Sequence, residues 1–276
     1  MAAPIAASEL YLDLLKKRLT RYDDGPTYFV DPPPRRSWTG LLYRVAQRLV
    51  SPGFTLTRLQ HFDEEMRRSG KDWPVNGETM IGLRRLDDLH DCIRDVLQRG
   101  VPGDFIETGV WRGGATIFMR AALEAYGDTT RRVWVADSFQ GLPQPDPRYP
   151  ADSGNTLWND SRLAASVDEV KANFARYGLL DDRVRFLVGW FRDTLPSAPI
   201  DRLAILRLDG DLYESTMDGL RSLYPKLSVG GYIIIDDYQV EALGCRQAVD
   251  EFRAEHGITD PIQVIDWAGV FWQRLR

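Results

Sequence analysis

Asp104-Phe-Ile-Glu-Thr-Gly-Val-Trp-Arg-Gly-Gly114, running straight into Ala115-Thr-Ile-Phe-Met119, reads as a strand, a glycine turn and the start of a helix. Gly109, Gly113 and Gly114 let the backbone turn tightly and approach a ligand, and the helix that follows offers free N–H groups to a negative charge. Glu107 ends the strand and Arg112 sits in the turn. The run contains neither G-x-G-x-x-G nor a Gly-Lys-Ser/Thr ending, which turns the reading away from pyrophosphate and triphosphate ligands. A nucleoside with an amino-acid tail, S-adenosylmethionine, is the ligand that remains. Its carboxylate suits the helix N-terminus and its ammonium suits Glu107.

A second acidic strand end follows in Arg132-Val-Trp-Val-Ala-Asp137-Ser138. In open α/β sheets an acid at this place accepts hydrogen bonds from a ribose diol, which makes Asp137 the ribose candidate, with Ser138 beside it.

The 276 residues are enough for one large α/β domain with an elaborated arm, and they can bury a sizeable core. A net charge of -5 with scattered Lys and Arg argues against nucleic acid, because phosphate contacts need clustered cations. Cys92 and Cys245 have no metal-ligand spacing, and Met1–Leu10 lacks a charged n-region followed by an apolar run. The expectation is a cytoplasmic protein with no membrane partner and a homo-oligomeric state.

Residues 1–70 read as an N-terminal helical arm and lid. Helical spacing runs over Glu9–Leu19, Trp38–Leu49 and Leu56–Ser69, with a breaker at Asp31–Pro34. Residues 71–276 read as the main domain. After a helix over Arg84–Gln98, strands and helices alternate: strands at 105–107, 133–136, 184–187, 203–208 and 232–235, helices at 114–125, 166–177, 215–226 and 245–256. Near-continuous apolar strands joined by helices predict a doubly wound parallel sheet. The last two runs, 262–265 and 270–273, are too close for a crossover and predict an antiparallel hairpin around Trp267-Ala-Gly269. Together these make the seven-stranded, Rossmann-like sheet of class I methyltransferases.

Acids recur at the ends of two later strands, in Leu206-Arg-Leu-Asp209-Gly-Asp211 and Ile233-Ile-Ile-Asp236-Asp237. One crossover helix separates them, so the strands should be neighbours, with both ends facing the ligand edge of the sheet. Carboxylates crowded there repel unless a cation joins them, and a hard divalent ion takes an all-oxygen shell. The expectation is Mg²⁺ on Asp209, Asp236 and Asp237.

The runs Phe105-Ile-Glu-Thr-Gly-Val-Trp-Arg-Gly-Gly, Ala136-Asp-Ser-Phe-Gln-Gly-Leu-Pro143, Asp209-Gly-Asp-Leu-Tyr-Glu-Ser-Thr216 and Gly230-Gly-Tyr-Ile-Ile-Ile-Asp-Asp-Tyr238 resemble the macrocin O-methyltransferase (TylF) family. The resemblance covers roughly residues 70–276 and implies a methyl transfer from S-adenosylmethionine, with Mg²⁺, to a deoxysugar hydroxyl in antibiotic biosynthesis. It also implies that Thr79 and Met80 cover the methionine moiety. Gly189, Trp190 and Phe191 are implied to lie against the adenine, where an aromatic face stacks well on a purine. A more distant similarity to catechol O-methyltransferases gives the alternative, a catechol or phenolic acceptor, but their base lysine has no match in Asp209-Gly-Asp-Leu-Tyr213. A carboxylate must then take the proton: Asp209, the preferred one, or Asp211. Asp209 is also placed among the cofactor contacts, and acceptor selection falls to the N-terminal arm and the Pro143–Asp160 insertion.

Overall fold

The computed structural model describes residues 6–24, 27–30, 38–50 and 58–276, with residues 27–30 and 58–61 described as backbone alone. The expected breaker at Asp31–Pro34 lies outside the described residues.

The N-terminal part contains α1 (Ala7–Leu19), β1 (Thr27–Val30), α2 (Trp38–Arg48), β2 (Arg58–His61), α3 (Glu64–Arg68) and α4 (Gly82–Gln98). Leu12, Leu15 and Leu19 recur at helical spacing on one face of α1 and share a core cluster with Leu86, Ile93 and Phe118. The first helix of the arm therefore belongs to the main core. The helix expected over Leu56–Ser69 begins outside the described residues, and over 58–69 it is corrected to a strand and a short helix. Residues 58–61 pair antiparallel with 27–30, a long-range contact that local periodicity does not encode. Asp63 then caps the helix by accepting from the Met66 amide at 2.9 Å, so the helix starts late.

The rest alternates as expected, with one short helix, α7, that the reading did not place: β3 (Asp104–Thr108), α5 (Gly114–Ala125), β4 (Val133–Asp137), α6 (Val167–Arg176), β5 (Val184–Val188), α7 (Phe191–Thr194), β6 (Leu203–Leu208), α8 (Tyr213–Leu223), β7 (Leu227–Ile235), α9 (Cys245–Glu255), β8 (Gln263–Val264) and β9 (Val270–Gln273). One seven-stranded sheet has the order β5-β4-β3-β6-β7-β9-β8, parallel from β5 through β7, with β9 antiparallel to both its neighbours. β6 is buried at every position, as a central strand covered on both faces must be. β7 starts earlier than its apolar run suggests. Gly230, at φ 86°, lets the strand pass through an irregular register instead of ending there. Among the described residues no helix is long and apolar enough to cross a membrane.

Candidate active site

A cavity of about 300 Å³ opens at the C-terminal edge of β3, β4, β6 and β7. Its wall contains Thr79, Met80, Glu107, Gly109, Asp137, Ser138, Trp190, Phe191, Asp209, Asp211, Asp236 and Asp237. Gly109 has φ 82°, and a Cβ on it would lie 1.6 Å from the Asp209 carbonyl oxygen. Only glycine lets the turn after β3 touch the end of β6 in this way. That contact brings the Glu107 and Asp209 strand ends side by side.

Three of the expected cofactor residues stand behind the wall. Arg112 turns away and donates to the Val75 carbonyl at 2.6 Å and the Gly77 carbonyl at 3.2 Å. Gly113, at φ 87°, caps α5, and a Cβ there would press on Val170 at 2.8 Å. Gly189 donates its amide to the Asp137 carbonyl at 2.9 Å. All three shape the turns and leave the cavity to their neighbours. The Gly114 amide, expected to be free at the helix start, donates to the Glu78 carbonyl at 2.9 Å. Glu78 in turn donates its amide to Leu19 and accepts from Arg21 Nη2 at 3.0 Å, so the end of α1 holds the Thr79–Met80 segment against the cavity.

Asp137 is anchored before any ligand arrives: Val110 and Phe139 donate their amides to its two oxygens at 2.8 and 2.6 Å. Burial pushes its carboxyl above the usual range, with those amides opposing.

The acids divide into two groups. Arg207, 1% exposed near the C-terminal end of β6, donates to Glu107, to Asp209 Oδ2 at 2.9 Å and to Asp236. Arg85, from α4, donates to the other Asp236 oxygen and to Asp266 at 3.1 Å. Asp236, expected as a metal ligand, thus has both oxygens on guanidiniums. The acids whose oxygens converge are Asp209, Asp211 and Asp237, with one ligand atom of each within 4.8 Å of the others. Asp211 takes the place expected of Asp236 in that group. Two buried oxygens in the wall have no partner among the described residues, Glu107 Oε2 and Asp237 Oδ2.

Crowding and burial raise the acids together. Burial pushes the Glu107 carboxyl to about 8 despite Arg207, and Asp209 to about 6 with Asp236 adding to it. Asp211 rises to about 7 through burial and the neighbouring Asp209, and Asp237 well above the usual range through burial and Asp211. These shifts describe a site short of positive charge.

Arg85, Arg207, Asp266 and Trp267 escaped the sequence reading. Arg207 carried a legible signal: a charge inside Leu203-Ala-Ile-Leu-Arg-Leu208 needs buried partners, and the acids at the strand ends are the nearest available. Arg85, Asp266 and Trp267 carried none, since α4 and the last hairpin meet only in the fold. The Arg85 guanidinium lies 5.8 Å from the Trp267 ring centre, and Trp267 lines the cavity.

Comparison with known proteins agrees with this architecture. The family model of macrocin O-methyltransferase (TylF) matches residues 8–274. The 8-demethyl-8-(2,3-dimethoxy-alpha-L-rhamnosyl)-tetracenomycin-C 4'-O-methyltransferase of Streptomyces olivaceus is 50% identical over 273 residues, covering 97% of this chain and 93% of the relative. The mycinamicin III 3''-O-methyltransferase of Micromonospora griseorubida is 48% identical over 276 residues, covering 99% of each. The solved structure of the O-methyltransferase NovP superposes with a TM-score of 0.83 at 48% identity, covering 98% of this chain and 100% of that one. The chain belongs to the macrocin O-methyltransferase (TylF) family.

Proposed function

We propose that the chain transfers the methyl group of S-adenosylmethionine to a hydroxyl of a deoxysugar on a natural product, with Mg²⁺ held by Asp209 and Asp237. The observation that carries this reading is the open carboxylate group, Asp209, Asp211 and Asp237, in the same cavity wall as Glu107. An all-oxygen donor set with surplus negative charge fits a hard divalent cation. The named relatives supply the substrate class: one acts on a rhamnosyl tetracenomycin and another on mycinamicin III.

The residues divide the work. Glu107 Oε2, buried and without a partner among the described residues, is suited to the ammonium of the cofactor's amino-acid tail. Trp190 and Phe191 offer aromatic surface to the adenine, and Asp137, on the same wall, faces the ribose. A bound divalent cation supplies Lewis acidity toward a hydroxyl oxygen and fixes its direction. Asp211 is the acid we assign as base. Arg207 occupies an oxygen of Asp209, whereas no hydrogen bond or ion pair reaches the Asp211 carboxylate among the described residues. As the O–CH₃ bond forms and the S–CH₃ bond breaks, the hydroxyl proton passes to Asp211 and a neutral thioether leaves without needing an acid. The buried free thiols of Cys92 and Cys245 suit a reducing, cytoplasmic setting.

The test is methyl transfer from labelled S-adenosylmethionine to 8-demethyl-8-(2,3-dimethoxy-alpha-L-rhamnosyl)-tetracenomycin C, mycinamicin III and simple catechols, each with and without EDTA. The reading expects label in a glycoside, lost with EDTA and restored by Mg²⁺. Label in catechols alone, or undiminished transfer by metal-free enzyme, contradicts it.

A further inference from the structure

We propose that Asp152 is a positioning residue for methyl transfer, latching the segment 143–163 that walls the cavity to the turn that presents Asp211. The inference rests on the function proposed above.

Asp152 ends a short 3-10 turn, Pro150–Asp152, and is 2% exposed. Its Oδ1 accepts the Tyr213 amide at 2.6 Å, across 61 residues of sequence, and its Oδ2 accepts the Glu214 amide at 3.1 Å. These are the first two amides of α8, and a helix start leaves such donors without intrahelical partners. The local capping position is Leu212, whose side chain accepts nothing. A carboxylate from a distant loop therefore caps the helix, and its charge matches the positive end of the helix dipole.

The turn just before this cap is strained. Asp211 sits at φ 57°, a left-handed conformation uncommon for a residue with a side chain, which persists only where its surroundings hold it. Asp152 holds the chain two residues further on. Gly244 completes the junction: a Cβ there would lie 2.4 Å from Asp152 Oδ1 and 2.8 Å from the Tyr213 nitrogen. Its φ is -73°, so the glycine provides space here and relieves no backbone strain.

Beyond Asp152 the same segment sends Leu157 and Leu163 into the cavity wall. Near its end, the Arg162 carbonyl accepts from Trp111 Nε1 at 2.8 Å, and the Arg162 guanidinium lies 4.7 Å from the Trp73 ring centre. The segment is thus fastened to the cofactor turn near its end and to the Asp211 turn at its middle. One carboxylate sets both the apolar wall and the group that takes the proton.

Asp152→Ala and Gly244→Ala test the latch from its two sides. Hydrogen exchange is followed over residues 143–163, 209–217 and 104–125. Binding is titrated with S-adenosylhomocysteine, and methyl transfer is measured with 8-demethyl-8-(2,3-dimethoxy-alpha-L-rhamnosyl)-tetracenomycin C. Both variants should speed exchange in 143–163 and 209–217 and leave 104–125 and S-adenosylhomocysteine affinity unchanged. They should lower acceptor kcat/KM about 10- to 100-fold, the size of effect a slightly misplaced reacting group produces. Asp152→Asn, which keeps an oxygen for the Tyr213 amide, should fall between Asp152→Ala and the parent. Faster exchange confined to 143–163, no change in either segment, or loss of S-adenosylhomocysteine binding alongside would each overturn the latch. A parent enzyme that leaves the glycoside unmethylated would contradict the proposed acceptor, while the exchange data would still decide the latch.

Discussion

Two sets of acids share one sheet edge and meet opposite fates. Glu107, Asp236 and Asp266 are served by guanidiniums that the chain itself provides, Arg207 and Arg85, and they form a closed, buried lattice. Asp209, Asp211 and Asp237 turn oxygens toward one point, and Arg207 reaches only one oxygen of Asp209. The contrast teaches that an acidic cluster is not itself a metal site. Whether it becomes one depends on how much cation the fold has already placed beside it. The closed set holds the strand ends together, and the open set keeps the oxygens on which the proposed Mg²⁺ would sit.

The largest expected effect falls on the closed set. Arg207→Ala would leave Glu107 and one Asp236 oxygen without their buried partner, and breaking a buried pair from one side destabilises by about 3–5 kcal/mol. Urea denaturation should show that loss or no folded protein at all. A midpoint close to the parent's would mean the lattice does not hold the strand ends.

On the open side the effect is chemical. Asp211→Asn should lower single-turnover methyl transfer by about 10²–10⁴-fold, the range for removing a general base. Its unfolding midpoint should stay near the parent's. An equal or greater loss in Asp209→Asn at matched Mg²⁺ occupancy would return the base role to Asp209, the residue preferred from sequence.

Glu107→Gln separates the two regions at their boundary. The amide cannot receive the cofactor ammonium as a carboxylate does, so S-adenosylmethionine affinity should weaken by about 1.5–3 kcal/mol in calorimetry. Unchanged affinity would move the ammonium elsewhere. The smallest effect concerns Asp236→Asn. With both oxygens already on arginines, its loss should weaken Mg²⁺ binding less than Asp237→Asn does, and a larger loss would restore Asp236 as a ligand.

The sheet was legible because its strands are short apolar runs ending in acids or glycines, and α5 and β6 match their expected limits. The cavity wall was legible for the same reason: Glu107, Asp137 and Asp209 are strand-end acids, and such ends meet at one edge. Side-chain direction was not. Arg112 reads as a turn residue facing the cofactor, yet it braces residues 75–77. Adjacent Asp236 and Asp237 look equivalent in sequence, but one is held by two arginines and the other keeps a buried oxygen without a partner among the described residues. Spacing places a residue at the edge; the choice among partners depends on α4 and the last hairpin, which lie far away in sequence.

The most direct test of the division into closed and open acids is a calorimetric Mg²⁺ titration of the parent, Asp237→Asn and Glu107→Gln, each saturated with S-adenosylhomocysteine. The account predicts Mg²⁺ binding in the parent and in Glu107→Gln, and its loss in Asp237→Asn. Equal binding in all three, or none in the parent, would contradict it.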